Sequence, residues 1–319
     1  MKKVLKKQKI LLFIGIAVGV LYGVGARFLF DSSIATISFL ILVPTGLGAV
    51  TLLFVQENQL NSFKKILFIP WLSIIALFGI LLILRVEDFL CIFLLLIPFF
   101  AFATLIIFLV AFIKNRNLNK KLKNNTLLCL AVLPFIFFCF EKDLNIPAET
   151  NIVTSEKIVD APKQIIWNNI VSVPQIVDDE YNAGIFNYMG LPRPLKATVT
   201  KKDIGGIRTG YFEGGLKFKE LITKYNYCNS ISFSISVDAY SAQNTVFHKH
   251  VLNGNYFKFK TAEYELTTLP DGKIKLTLSS QYQLKGNVNF YGKFWADIMI
   301  KDFQDRLLDV IEKRCSKQF

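Results

Sequence analysis

The chain has 319 residues, a formal net charge of +13 and 30 Phe among its 52% hydrophobic residues. A mean hydropathy of +0.41 is too high for one water-soluble globule, and the length leaves room for two units. The charge does not indicate nucleic-acid binding: residues 1–140 hold 14 Lys and Arg against 4 Asp and Glu, residues 141–319 hold 23 against 20, and the latter show no helix-turn-helix, zinc-finger or RNP-like spacing.

Up to Phe140 the chain runs in long apolar stretches, and from Glu141 onward apolar and polar residues alternate in short groups. This shift predicts a transmembrane region over 1–140 and a separate domain over 141–319. A spanning helix needs about 20 mostly apolar residues, because the hydrocarbon core offers backbone groups no water. Residues 10–30, 34–55, 66–84 and 89–113 meet that requirement. Residues 126–140 make a shorter fifth segment containing Pro134; as a buried or interfacial helix it would leave the following domain on the cytoplasmic side. The basic start and the pair Gly23 and Gly25 also loosely fit a cleaved signal, but three longer apolar segments follow.

Basic residues collect on the cytoplasmic side of short loops. Lys2, Lys3, Lys6, Lys7 and Lys9 precede the first segment, Lys64 and Lys65 follow the second, and Lys114, Arg116, Lys120, Lys121 and Lys123 follow the fourth. Five crossings of the cytoplasmic membrane therefore place the N-terminus inside and the C-terminal domain outside. No ionisable residue lies deep in an apolar core, so the bundle reads as an anchor or scaffold rather than a transporter.

Beyond Glu141, residues 152–160 read as a strand, and Asp160-Ala161-Pro162 opens a helix with Ile165, Ile166 and Ile170 on one side. Period-two segments follow at 197–201, 206–212, 217–225, 230–237, 245–252, 256–267 and 273–284. The clearest sets Ile231, Phe233, Ile235 and Val237 against Ser230, Ser232, Ser234 and Ser236, predicting one oily and one polar sheet face. A long helix over 288–315 carries Phe290, Phe294 and Ile298, widened by Met299, Phe303, Leu307 and Ile311, as a stripe expected to cover the sheet.

This order, with Ile158-Val159-Asp160-Ala161-Pro162-Lys163-Gln164-Ile165-Ile166-Trp167, Gly205-Gly206-Ile207-Arg208-Thr209, Phe212-Glu213-Gly214-Gly215 and Phe218-Lys219-Glu220-Leu221-Ile222-Thr223, resembles the START-like, or SRPBCC, superfamily over residues 150–315. It is most similar to the polyketide cyclase/dehydrase-type branch. The resemblance implies an α+β helix-grip fold, an antiparallel sheet wrapped around the C-terminal helix. It also implies an apolar cavity for a lipid or other hydrophobic small molecule, walled by Phe294, Ile298 and Phe233. A fully packed interior remains the alternative.

Among polar candidates for ligand binding, Glu220 shares strand parity with Phe218 and Ile222, and Arg208 is its expected partner from the neighbouring strand. The pair serves either as a structural ion pair or as a grip on a ligand. Tyr282 and Tyr264 could hydrogen-bond a cavity ligand. His248 and His250 share one strand face, but no third ligand stands at metal-binding spacing, so no metal site is expected. Cys228 and Cys315 could form a disulfide outside the cytoplasm, although their spacing does not show one. No nucleotide loop, dinucleotide fingerprint, nucleophile elbow or zincin helix occurs, and no cofactor is expected. Three functions remain open: a membrane-tethered binder, a cyclase or dehydratase using Glu220, Arg208 or His248, and a sensory domain with a filled core. The oligomeric state is not legible.

Overall fold

The computed structural model describes residues 2–30, 35–55, 63–115, 120–144, 146–238, 240–241 and 256–318. They form two compact units, Met1–Ile146 and Pro147–Phe319.

The first unit is a bundle of α1 (Lys2–Leu29), α2 (Val43–Leu53), α3 (Phe63–Ile83), α4 (Phe89–Asn115) and α5 (Lys120–Glu141). A π-helical turn, Ser38–Leu42, leads into α2, and Pro70, Pro98 and Pro134 lie inside α3, α4 and α5. Ala49, Leu52, Val55, Ile69, Ile106 and Leu127 share one buried cluster with Leu12 and Ile16. Near the other end Phe30 meets Phe39, Phe135 and Phe138, at ring-centroid distances of 6.0, 6.0 and 4.2 Å. Successive helices therefore alternate in direction, and α5 runs parallel to α1.

The buried charges gather at that second end. Arg27 Nε donates to Glu87 Oε1 at 2.5 Å. Glu141 accepts from the backbone N–H of Ile37 at 2.7 Å and of Ser38 at 2.9 Å, and from the Ser38 hydroxyl. These backbone donors precede the first helical turn and have no intrahelical partner, so the carboxylate takes the place of a capping side chain.

Large apolar side chains also cover the outside of the bundle, including Phe13, Leu21, Phe68 and Phe140, each about 70% exposed. A helix set that is apolar all round suits lipid rather than water. Gln8–Leu29, Phe89–Ile106 and Asn124–Glu141 are long and apolar enough to cross a membrane, and Ser38–Leu53 and Leu67–Ile83 are shorter apolar stretches.

The second unit consists of β1 (Glu149–Val159), α6 (Lys163–Val171), α7 (Ile185–Tyr188), β2 (Pro194–Val199), β3 (Ile207–Phe212), β4 (Lys217–Asn226), β5 (Ser230–Val237), β6 (Phe257–Thr268), β7 (Ile274–Leu284) and α8 (Asn289–Gln318). The strands make one antiparallel sheet in the order β1-β7-β6-β5-β4-β3-β2. Register shifts at Pro194/Lys196, Ile222/Lys224 and Phe259/Thr261 add twist and help it curl. A curled antiparallel half-barrel with α8 against β1 and β7 fits the helix-grip fold. The predicted segment 245–252 lies outside the described residues.

The core lies between the sheet and α6 and α8. Ile222, Ile231, Phe233, Leu276 and Leu278 meet Trp167 and Ile170 from α6 and Leu308 and Ile311 from α8. Arg314 donates to Glu180 at 2.6 and 3.0 Å and to the carbonyls of Pro174 and Gln175, fastening the segment after α6 to the end of α8.

Leu307 and Ile311 of the expected covering stripe on α8 are buried, but its first three residues need correction. Ala296, Ile300, Gln304, Leu308, Ile311 and Cys315 are buried, whereas Phe290, Phe294 and Ile298 remain 72%, 56% and 39% exposed. Ala296 and Ile300 lie two residues beyond Phe294 and Ile298, a rotation of about 200° around the helix. Over this first half of α8 the smaller Ala296 and Ile300 face the sheet while Phe290, Phe294 and Ile298 face away from it; further along, Phe303 packs against the core.

Candidate functional site

Arg208 and Glu220 are direct partners in the β3–β4 register. Both side chains face the helix side of the sheet, and they form a salt bridge with only 7% and 12% of their side-chain surface exposed. The guanidinium also reaches across the sheet: its centre lies 5.1 Å from the Phe233 ring centroid on β5, and it interacts electrostatically with the Tyr264 hydroxyl on β6. Arg208 Nε donates to the carbonyl of Val171 at 3.2 Å. Val171 ends α6, where the last carbonyls lack intrahelical donors and carry the negative end of the helix dipole.

The electrostatics follow from burial and pairing. Burial disfavours charge on Arg208, yet the Glu220 carboxylate and Tyr264 outweigh it and hold the guanidinium above its ordinary pKa. Burial pushes the Tyr264 phenol up to about 12, with Arg208 opposing the shift, so the hydroxyl stays neutral at physiological pH.

Glu220 uses Oε2 for Arg208, and among the described residues no donor reaches Oε1. Gly210, one strand over, leaves the space beside that oxygen open: a methyl group there would come within 3.3 Å of both Glu220 Oε1 and the Phe212 ring. On the other flank Phe212, Phe218 and Phe259 pack edge to face, with centroid distances of 5.0 and 5.6 Å, and Phe303 of α8 lies 6.0 Å from Phe212. One acceptor oxygen thus sits between the main core and a group of aromatic rings.

The remaining expected residues are elsewhere. Tyr282 is fully buried in a second cluster with Val153, Phe257, Leu284, Ala296 and Ile300. Its ring stacks on Phe257, and its hydroxyl donates at 2.5 Å to Asp297, which also binds Lys293 at 2.5 Å. Burial, and then Asp297, push the Tyr282 pKa up. Phe294 and Ile298 point away from the sheet and do not wall its interior. His248 lies outside the described residues. Cys228 and Cys315 are both free thiols, Cys228 donating to Gln164 and Cys315 buried. Among the described residues no cluster of His, Cys, Asp or Glu could hold a metal.

The structure thus brings together Arg208, Glu220, Phe233 and Tyr264 and adds Gly210 and the Val171 carbonyl. Tyr264 and Gly210 each share strand parity with a core residue, Leu266 and Phe212 respectively. The Val171 contribution has no sequence signal, because it depends on where α6 stops.

No family model matches the sequence, and no curated protein does. Among solved structures, truncated norcoclaurine synthase from Thalictrum flavum is 13% identical, with 53% of this chain and 96% of that one covered and a TM-score of 0.34. An uncharacterised protein from Rhizobium leguminosarum is 13% identical over 54% of this chain and 97% of its own, with a TM-score of 0.33. A protein from Mycobacterium smegmatis is 19% identical over 52% and 96%, also at 0.33. These neighbours have the Bet v1/SRPBCC-like fold.

Proposed function

We propose that this chain anchors a helix-grip module in a bilayer and that the module holds a hydrophobic small molecule or lipid between its sheet and α8. The polar end of the ligand donates a hydrogen bond to Glu220 Oε1, and its apolar part packs against Phe212, Phe218, Phe259 and Phe303. The observation carrying this reading is the pair of Arg208 with Glu220: a desolvated carboxylate, fixed on one oxygen and unpartnered on the other, beside a small residue and a group of rings. Sites for hydrophobic ligands combine mostly apolar walls with a few placed polar groups.

The anchor reading rests on the apolar exterior of the first unit and its loop charges. With the N-terminus in the cytoplasm and α5 parallel to α1, the module belongs on the outer side.

The test uses the full chain, delipidated in detergent, incubated with total membrane extract and weighed by native mass spectrometry. A retained mass in the wild type that is lost in a Gly210→Val variant of unchanged melting temperature supports the binder. A wild type that retains no mass defeats it.

A further inference from the structure

The outward face of α8 carries apolar residues where a helix on a soluble domain would carry polar ones. Phe290, Phe294 and Ile298 recur every four residues and remain exposed, and further along the same face the exposed positions are Lys301 and Asp305. Steps of four residues advance only about 40° around a helix, so the three side chains form one continuous strip. A strip of this size on a solvent-facing helix marks an interaction surface.

Its position in the fold indicates the occupant. Glu149, the first residue of β1, pairs with Leu284, the last residue of β7, and Leu284 also pairs with Phe257 at the start of β6. The helix starts at Asn289, five residues after Leu284. The chain therefore enters the second unit at the same end as the apolar strip. Only eight peptide steps separate Glu141 from Glu149, so the tether spans at most about 29 Å. Lys258, Lys285 and Lys142 are exposed around this end and along the tether, together with Asp143 and Glu149. An apolar strip edged by lysines suits the boundary between acyl chains and anionic headgroups.

We infer that Phe290, Phe294 and Ile298 form a bilayer-contacting face that seats the module on an anionic leaflet. The inference rests on the proposed membrane anchoring of the first unit, and it assigns these residues to the bilayer surface instead of the ligand-holding interior.

The test reconstitutes the full chain in nanodiscs of phosphatidylcholine and phosphatidylglycerol containing a lipid with a diazirine in its acyl chain. Adducts are mapped by peptide mass spectrometry after irradiation. Adducts on both α4 and residues 290–298 are expected. In Phe294→Glu/Ile298→Glu those on 290–298 should fall by at least about fivefold while those on α4 persist, because carboxylates are costly in hydrocarbon. Adducts on α4 without any on 290–298 overturn the inference and leave the anchoring intact. The same holds for adducts at Phe212, Phe218 or Phe259 without any on 290–298, which mark a lipid inside the grip. Protection of 290–298 from aqueous footprinting without lipid adducts indicates a second protein copy and also overturns it. Absence of adducts on α4 defeats the anchoring, and with it the inference.

Discussion

Arg208 of β3 lies directly opposite Glu220 of β4, and the charged groups meet on the buried side of the sheet with Phe233 beneath the guanidinium. Removing one partner leaves an uncompensated charge, whereas removing both can be nearly neutral. Arg208→Met should therefore destabilise the second unit by roughly 3 kcal/mol. Arg208→Met/Glu220→Leu should recover part of that loss. Thermal unfolding of the full chain in detergent, followed by circular dichroism, checks the order, and a double variant less stable than the single one contradicts it.

Tyr282 combines a stacked ring with a short hydrogen bond to Asp297. Tyr282→Phe should lose about 1 kcal/mol, because only the hydrogen bond goes. Tyr282→Ala should lose about 4 kcal/mol, because it also opens a cavity beside Phe257. Equal melting temperatures for the two variants would show that the ring contributes little.

Tyr264 makes alkaline stability measurable at one residue. Its folded pKa is raised from 10.0 to about 12, so its contribution is complete below pH 10, declines as pH rises, and is lost above about pH 12. The melting temperature of Tyr264→Phe should consequently fall less steeply between pH 10 and 12 than that of the wild type. Parallel profiles would rule out Tyr264 as a source of the decline.

The alternation of helices in the first unit predicts membrane sidedness. With α5 parallel to α1, a cysteine introduced at Asn117 and another at Asp271 in the β6–β7 turn should react with an impermeant maleimide from opposite faces of sealed, oriented vesicles. Labelling from the same face would remove the fifth crossing.

Much of the second unit is legible in its sequence because strands such as β1 and β7 alternate cleanly. Ser230–Val237 matches β5 end to end, and Pro270-Asp271-Gly272 marks the turn between β6 and β7. Strand parity also identifies the Arg208–Glu220 partnership, since adjacent strands with a short connection leave few registers. The outward turn of Phe290, Phe294 and Ile298 is not legible. Periodicity shows that they share a face but not which face the sheet covers, and the covering positions include a small Ala296 and a polar Gln304. Gln304 is tolerated because its amide donates to the Val153 carbonyl at 3.2 Å and to Ser280 at 2.8 Å, partners supplied by distant strands. The capping by Glu141 of the π-helical turn ahead of α2 escapes sequence reading for the same reason.

The pairing of β1 with β7 sets the order in which this protein can be assembled. The first strand to follow the bundle has its sheet neighbour in the last strand of the chain, with Val159 opposite Ile274 and Glu149 opposite Leu284. A ribosome releasing the chain from its N-terminus delivers β1 early and its neighbour near the end, so this edge cannot close progressively. Synthesis halted before Ile274 would yield a fragment whose first strand still presents bare backbone groups to any passing edge.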